Sequence, residues 1–194
     1  PLRAPLGTHG FPWEWAVPIL LVLVPALVLQ HWWLRRRRAI ETGEVKAVWI
    51  MATNPAVSLP DSHQVRRALE KCECVVVSDC VERTDTNQYA NVLLPAQGWG
   101  EKEGTVTNSE RRISRQRKFL TPPGDARPDW WIVSEIARRM GYGVHFNYRS
   151  SREIWQEHAT LSGFENNGER DFDVSGLASL SVDEYDRLAP VQWP

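Results

Sequence analysis

Residues 45–55, with the sequence Val-Lys-Ala-Val-Trp-Ile-Met-Ala-Thr-Asn-Pro, decide the fold. The run at 45–51 is short, apolar and rich in β-branched and aromatic side chains, which predicts a buried strand. The run at 52–55 joins an asparagine to a proline and predicts a turn. A strand that is apolar on both faces and ends at a polar turn is typical of the parallel sheets of α/β proteins.

The pattern continues toward the C-terminus with a helix and two further strands. Asp61 is the expected N-cap of the helix, Gln64 completes a capping box, and the helix is expected to end near Lys71. Strands are predicted at 74–78 and 91–95. Because buried strands that alternate with helices form parallel sheets with right-handed crossovers, the sequence predicts an α/β fold with a partial Rossmann-like parallel sheet and flanking helices. The apolar stripe of the helix consists of Val65, Ala68 and Leu69, and Thr84 or Asp85 is expected to open a short helical turn.

Small polar and acidic side chains follow the predicted strands. Ligands of parallel sheets lie beyond the carboxyl ends of the strands, and these groups suit sugar hydroxyls and base edges. No Gly-x-Gly-x-x-Gly follows the first strand and the sequence has no P-loop, which counts against an ordinary NAD or ATP site. A nucleotide-like ligand is therefore predicted. The strand ends are Thr53-Asn54, Ser78-Asp79 and Pro95-Ala96-Gln97.

A glycine-rich stretch and a basic run come next. In residues 98–108, glycines allow a ligand to approach the backbone and Lys102 offers a charge for phosphate, although a plain surface loop is the alternative. The basic run at 111–118 has little aromatic interleaving, so a solvated, salt-bridged face or a rim near cofactor phosphates is favoured over a nucleic-acid patch.

Helices are predicted in the C-terminal part of the chain. Asp129 is expected to cap a helix that runs to Met140 and stops at Gly141. A capping box from Ser150 to Glu153 opens a second helix, and a short one is expected at 181–188. The candidate core contacts of the two longer helices are Trp131, Ile132, Ile136, Met140, Ile154, Trp155 and Ala159, and the expected solvated acidic surface comprises Asp171, Asp173, Asp183 and Asp186.

Composition limits the function. The 194 residues carry a net charge of −1, and because residues 1–38 hold five arginines, the rest is mildly acidic, which argues against bulk nucleic-acid binding. The cysteines Cys72, Cys74 and Cys80 are too few for a disulfide framework and lack the spacing of an iron–sulfur cluster. Structural thiols are expected, with a metal site as the alternative.

The N-terminal segment at 1–38 is of a different kind. Residues 15–34 contain no formal charge apart from a protonated His31, and a helix of that length, about 30 Å, crosses a bilayer. Tryptophans flank the run, and the arginines at 35–38 would hold the following chain in the cytoplasm. The alternative is that this stretch does not belong to the protein and reflects a frame error in the coding sequence.

Four motifs follow one another from residue 49 onward: Trp-Ile-Met-Ala-Thr-Asn-Pro-Ala-Val-Ser at 49–58, Ser-Asp at 78–79, Val-Leu-Leu-Pro-Ala at 92–96 and Glu-Lys-Glu-Gly-Thr-Val-Thr-Asn-Ser-Glu-Arg at 101–111. Their order resembles the molybdopterin oxidoreductases of the dimethyl-sulfoxide-reductase type. The resemblance covers about residues 39–194, and the sequences at 97–102 and 113–117 are similar to bacterial assimilatory nitrate reductases.

The resemblance implies a molybdenum bis(molybdopterin guanine dinucleotide) cofactor, bis-MGD, with this chain gripping one guanosine arm. It further implies that Thr53 and Asn108 are weaker candidates for cofactor contact, and the family often has glycine where this chain has Ala52. The residues expected to bind the dinucleotide are Asn54, Ser78, Asp79, Lys102 and Asp129.

The resemblance also sets the expected organisation. Residues 39–149 form the dinucleotide-binding α/β unit, and 150–194 lead to a C-terminal domain outside this chain. The full cytoplasmic enzyme would reduce nitrate to nitrite with electrons from a donor protein or domain. It would carry a [4Fe–4S] cluster that this piece, inactive by itself, does not bind. A frame error at 15–34 is then favoured over an anchor, and membrane association is expected only if that run is genuine. The alternatives are another molybdopterin oxidoreductase, such as a formate dehydrogenase, and a membrane-anchored, non-catalytic binding module.

Overall fold

The structure is a computed structural model that describes residues 38–193. The apolar run at 15–34 lies outside the described residues. Within the described range, no helix combines the length and the apolar character needed to cross a membrane. This part of the chain folds into two small sheets with helices packed on them, so it is a mixed α/β structure.

The first sheet is parallel, as predicted. Its strands are β1 (Ala47–Met51), β2 (Cys74–Asp79) and β3 (Val92–Pro95), in the order β1-β2-β3. Met51 lies opposite Ser78, and Ser78 lies opposite Leu94, so the three carboxyl ends meet at one edge. The central strand is the most buried one, because it is covered by a neighbouring strand on each side.

Two helices follow β1. The short α1 (Pro55–Ser58) begins at a proline, whose fixed φ suits the first helical turn. The longer α2 (Ser62–Lys71) has Asp61 as its N-cap, and the carboxylate of Asp61 accepts a hydrogen bond of 3.1 Å from the Gln64 amide. These bounds confirm the predicted helix. The first core joins α2 to the parallel sheet and contains Ile50, Val65, Leu69, Cys72, Val75 and Val77.

The second sheet is antiparallel and was not predicted. It consists of β4 (Gly104–Thr107), β5 (Arg112–Gln116) and β6 (Val191–Gln192). The glycine-rich stretch at 98–108 is therefore a loop only as far as residue 103, because β4 begins at Gly104. The basic run was expected to form a solvated face, and for Arg115 this prediction is wrong, because its side chain is buried. The side chains of β5 alternate between buried and less buried positions, and Arg115 shares the inward face with Ile113.

The helix that follows β5 is α3 (Asp129–Ala137). The prediction that Asp129 is its N-cap is wrong, because Pro128 holds the cap position and Asp129 is the first helical residue. A π-helical turn continues α3 through residues 138–142, and the chain turns at Gly141 with φ 93°. Trp131 and Met140 were expected in the core, but they are 36% and 68% exposed.

The C-terminal part packs on the second sheet. The helix α4 (Ser151–Gly163) is capped by Ser150, as predicted, and α5 (Val182–Asp186) begins at a complete capping box between Ser181 and Glu184. Short 3-10 turns lie at Asn87–Tyr89 and Ser175–Leu177. The second core consists of Ile113, Trp155, Ala159, Val174 and Tyr185.

Candidate functional site

A cleft of about 240 Å³ opens at the carboxyl edge of the parallel sheet. It lies between the ends of β1 and β2, the loop that precedes β4 and the first turn of α3. The predicted cofactor residues all line it, although they are spread over 76 positions of sequence from Asn54 to Asp129. These residues are Asn54, Ser78, Asp79, Lys102 and Asp129.

Asn54 follows β1 and is held by a buried threonine. Its Oδ1 accepts a 2.6 Å hydrogen bond from the Thr86 hydroxyl, whose oxygen in turn accepts a 3.1 Å bond from the amide of Ala56. Thr86 is fully buried, so the Asn54 side chain is fixed before any ligand arrives. Within residues 38–193 the Asn54 amide nitrogen has no partner, which leaves a donor for the cleft. The local sequence carried no signal for Thr86.

Ser78 and Asp79 are the last two residues of β2 and differ in whether their side chains are available to a ligand. Ser78 is fully buried, and its hydroxyl oxygen accepts a 2.8 Å hydrogen bond from the Trp49 indole. Asp79 accepts a 2.9 Å bond at Oδ1 from the Val81 amide, which shapes the turn after the strand. Its Oδ2 has no hydrogen-bond partner among the described residues. Asp79 is therefore the more available of the two toward a ligand.

Lys102 and Asp129 form an ion pair across the cleft. The Lys102 Nζ lies 2.7 Å from Asp129 Oδ2, and the two side chains are 29% and 31% exposed. A half-buried, charge-assisted contact of this length is stronger than a surface pair. Two donor positions of the ammonium point away from Asp129, so the pair leaves Lys102 able to meet an anion.

Thr53 and Asn108, the two weaker candidates for cofactor contact, lie in different places in the structure. Thr53 lines the cleft beside Asn54. Asn108 is not among its lining residues, and its Oδ1 accepts bonds of 3.0 Å from the amides of Glu110 and Arg112 at the turn between β4 and β5. Asn108 therefore shapes that hairpin.

A second cleft of about 360 Å³ adjoins the first. The two share Asp79, Cys80, Val81 and Ala96, so an extended ligand can occupy both. Leu93, Leu94 and Pro95 supply flat apolar wall, and the carboxylates of Glu82 and Glu101 are acceptors. Sequence reasoning did not assign a role to either glutamate.

The cysteines are all free thiols in the structure. Cys72 is buried in the first core and its Sγ lies 3.6 Å from the Lys46 carbonyl oxygen, whereas Cys80 is exposed at the cleft. In the described part of the chain no three His, Cys, Asp or Glu side chains are grouped so that they could hold a metal ion.

A family model described as molybdopterin oxidoreductase matches residues 29–139. The chain belongs to the molybdopterin oxidoreductase family. The match contains every residue that lines the first cleft.

Named relatives of this molybdopterin oxidoreductase include nitrate reductases. The nitrate reductase of Klebsiella oxytoca is 59% identical over 156 residues, which are 80% of this chain and 18% of that protein. The nitrate reductase of Shewanella frigidimarina is 51% identical over 158 residues, which are 80% of this chain and 17% of that protein. A formate dehydrogenase alpha subunit of Methanococcus maripaludis is 42% identical over 119 residues, which are 61% and 18%. The chain therefore spans less than a fifth of the length of these relatives.

Membership of the family implies a molybdenum bis-MGD cofactor. The donor set of the clefts fits the dinucleotide part of such a group. Carboxylates accept from ribose hydroxyls and guanine N–H groups, an ammonium pairs with a diphosphate, and an amide nitrogen donates to either. Asp79, Lys102 and Asn54 supply one of each.

Proposed function

We propose that the chain is part of the catalytic subunit of an assimilatory-type nitrate reductase and binds one guanosine arm of its bis-MGD cofactor. The observation that carries the proposal is the convergence of the five predicted residues on one cleft at the carboxyl edge of a parallel sheet. The nitrate reductases also support it, because they match 80% of the chain whereas the formate dehydrogenase matches 61%.

Each residue has a distinct role in the proposal. Asp79 accepts from ribose or guanine through Oδ2, which no other described residue contacts by a hydrogen bond. Lys102 pairs with phosphate, and Asn54 donates through its amide nitrogen. Asp129 holds the Lys102 ammonium and adds a second carboxylate to the cleft. Ser78 contributes to the wall of the cleft, because its fully buried hydroxyl already accepts a hydrogen bond from the Trp49 indole.

The remainder of the enzyme supplies what these residues lack. The bound molybdenum group supplies the redox chemistry that converts nitrate to nitrite, and a [4Fe–4S] cluster with an electron-donor protein or domain would deliver electrons from outside this chain. In this proposal the parallel sheet is part of a Rossmann-like sheet, residues 39–149 form one unit, and the enzyme is cytoplasmic. Nucleic acid is not a partner, since the body of the chain is not basic.

A formate dehydrogenase is the second candidate function, because the Methanococcus alpha subunit is 42% identical over the matched region. Purified full-length enzyme distinguishes the two candidates. We expect nitrate reduction with a reduced dye as donor and no formate oxidation with an oxidised dye as acceptor. Formate oxidation without nitrate reduction would assign the chain to the second candidate.

The cofactor site is tested by Asp79→Ala and Lys102→Ala in the full-length enzyme. Each variant removes a charge-assisted contact, and the expected loss of binding free energy is about 1.5–3 kcal/mol. The measurement is molybdenum and releasable guanine nucleotide per chain after extensive dialysis, with Lys46→Ala as the matched control. Lys46 is 70% exposed, pairs with Glu73 at the opposite edge of the sheet and should leave both contents unchanged. Unchanged contents in both cleft variants would refute the site.

A further inference from the structure

Arg115 is a buried cation on β5, the central strand of the second sheet. Its side chain is only 3% exposed, and Nη2 lies 3.1 Å from Glu103 Oε2 and 3.0 Å from Asp186 Oδ1. The guanidinium carbon lies 4.5 Å from the centre of the Tyr185 ring. Burial by itself lowers the pKa of Arg115, but the hydrogen bonds to Asp186 and Glu103 raise that pKa above its ordinary value, so the group is charged.

The loop that carries Lys102 is held by β5 and the residues after it. Arg115 Nη1 donates to the carbonyl of Gly104 at 3.2 Å, and the Gln116 side chain donates to the carbonyl of Trp99 at 2.8 Å. The amides of residues 119 and 120 both donate to the carbonyl of Gly100 at 2.9 Å. Hydrogen bonds therefore hold the loop on both sides of Lys102. On the C-terminal side, the side chain that binds the loop nearest to Lys102 is that of Arg115.

The same guanidinium reaches α5, which is distant in sequence. Asp186 lies 71 residues after Arg115, and the Nε of Arg117 donates to its carbonyl oxygen at 3.1 Å. Tyr185, stacked on Arg115, is 2% exposed. Movement of α5 is thereby coupled through one buried group to the segment that follows Lys102.

We propose that Arg115 is a positioning residue for Lys102, and that α5 sets the geometry of the cofactor cleft through it. This inference rests on the proposed function, because it gives Lys102 a ligand. When the Arg115 guanidinium is removed, the Glu103 carboxylate and the Gly104 carbonyl both lose their common hydrogen-bond donor. The Lys102 ammonium then no longer keeps its position opposite Asp129. Lysine cannot replace this guanidinium, because an ammonium does not present several donors in one plane.

The test uses the full-length enzyme and three variants, Arg115→Lys, Glu103→Gln and Asp186→Asn. The matched control is Arg112→Lys on the same strand, where the side chain is 44% exposed and lies 3.9 Å from Glu110. The first readout is hydrogen exchange of the amides 99–104 in cofactor-free enzyme. We expect exchange roughly tenfold faster in Arg115→Lys, the factor expected for loss of about one charge-assisted hydrogen bond, smaller increases in the other two variants and no change in the control.

The second readout is cofactor content after dialysis, measured with and without Lys102→Ala. If Arg115 acts through Lys102, Arg115→Lys lowers the content by itself but adds nothing in the Lys102→Ala background. Equal losses in both backgrounds would show a merely structural role and overturn the inference. Unchanged hydrogen exchange in Arg115→Lys and Asp186→Asn would overturn the inference as well. If Arg115→Lys does not fold, the exchange of Asp186→Asn and Glu103→Gln decides whether the inference holds. If both Asp79→Ala and Lys102→Ala retain their cofactor while exchange rises in Arg115→Lys, the coupling of the loop to α5 stands and the proposed function fails.

Discussion

Replacing Ala52 by glycine should stabilise the enzyme, although it removes a methyl group. Ala52 follows β1 directly and has φ 52°, in the left-handed region. Its amide donates a 3.0 Å hydrogen bond to the Ser78 carbonyl, which continues the parallel ladder. This bond holds the residue in an unfavourable conformation. For an L-residue that conformation costs about 1–2 kcal/mol, and glycine adopts it without strain.

The expected net gain is smaller than the strain. Glycine loses more conformational freedom on folding than alanine does, at a cost of about 0.5–1 kcal/mol. Ala52 is exposed, so little apolar contact is lost with its methyl group. The difference is a stabilisation of about 0–1.5 kcal/mol with a midpoint of about 0.8 kcal/mol, which corresponds to roughly fourfold slower opening of the sheet edge.

Hydrogen exchange of the β1 and β2 amides in the full-length enzyme measures this local opening. Ala56→Gly is the matched control, because the chemical change is the same but Ala56 is helical and fully buried. There we expect a destabilisation of about 1–2 kcal/mol from lost helix propensity and a lost buried methyl group. Slower exchange in Ala56→Gly, or faster exchange in Ala52→Gly, would refute the reasoning from backbone conformation.

Two further variants test hydrogen bonds. Trp49→Phe should weaken the parallel sheet by about 1–3 kcal/mol, because the buried Ser78 hydroxyl loses its donor, and adding Ser78→Ala should recover most of the loss in hydrogen exchange of β2. Asp173 accepts hydrogen bonds from Ser175 and Asn166 that lower its pKa from 3.8 to about 2. The stabilising effect of the Asp173 carboxylate is present above the unfolded-state pKa and is lost as the pH falls from about 4 to about 2. Opening of the loop at 166–175, measured by hydrogen exchange, should therefore increase in that pH range. Asp173→Asn should abolish this pH dependence.

The parallel half of the fold follows from local patterns in the sequence. Apolar runs bounded by turns predict β1, β2 and β3, and the capping residue Asp61 with a helical stripe predicts α2. The site residues of this half come with the strands, since parallel strands must end at one edge. The motifs around Asn54, Asp79 and Lys102 then led to the family, which is shown by the match at 29–139.

The antiparallel half could not be predicted in the same way. The basic run of β5 resembles a solvated surface, because a single sequence window cannot reveal that Arg115 is neutralised by Glu103 and by Asp186. The local pattern around Asp129 indicates a helix cap, whereas the resemblance to the family implied a cofactor contact. In the structure Asp129 lies in the cleft wall, with Oδ2 2.7 Å from the Lys102 ammonium.

By itself, therefore, the sequence determined the parallel sheet with its helices and the family, and it predicted the edge at which a ligand is expected to bind. The tertiary structure decided which polar groups of that edge are free and which are engaged. The Ser78 hydroxyl accepts from Trp49 and the Asn54 side chain accepts from Thr86, whereas Asp79 Oδ2 has no hydrogen-bond partner within residues 38–193. The physical reason is range: capping and periodicity act over a few residues, but the pairing of buried charges and hydroxyls depends on partners that only folding brings together.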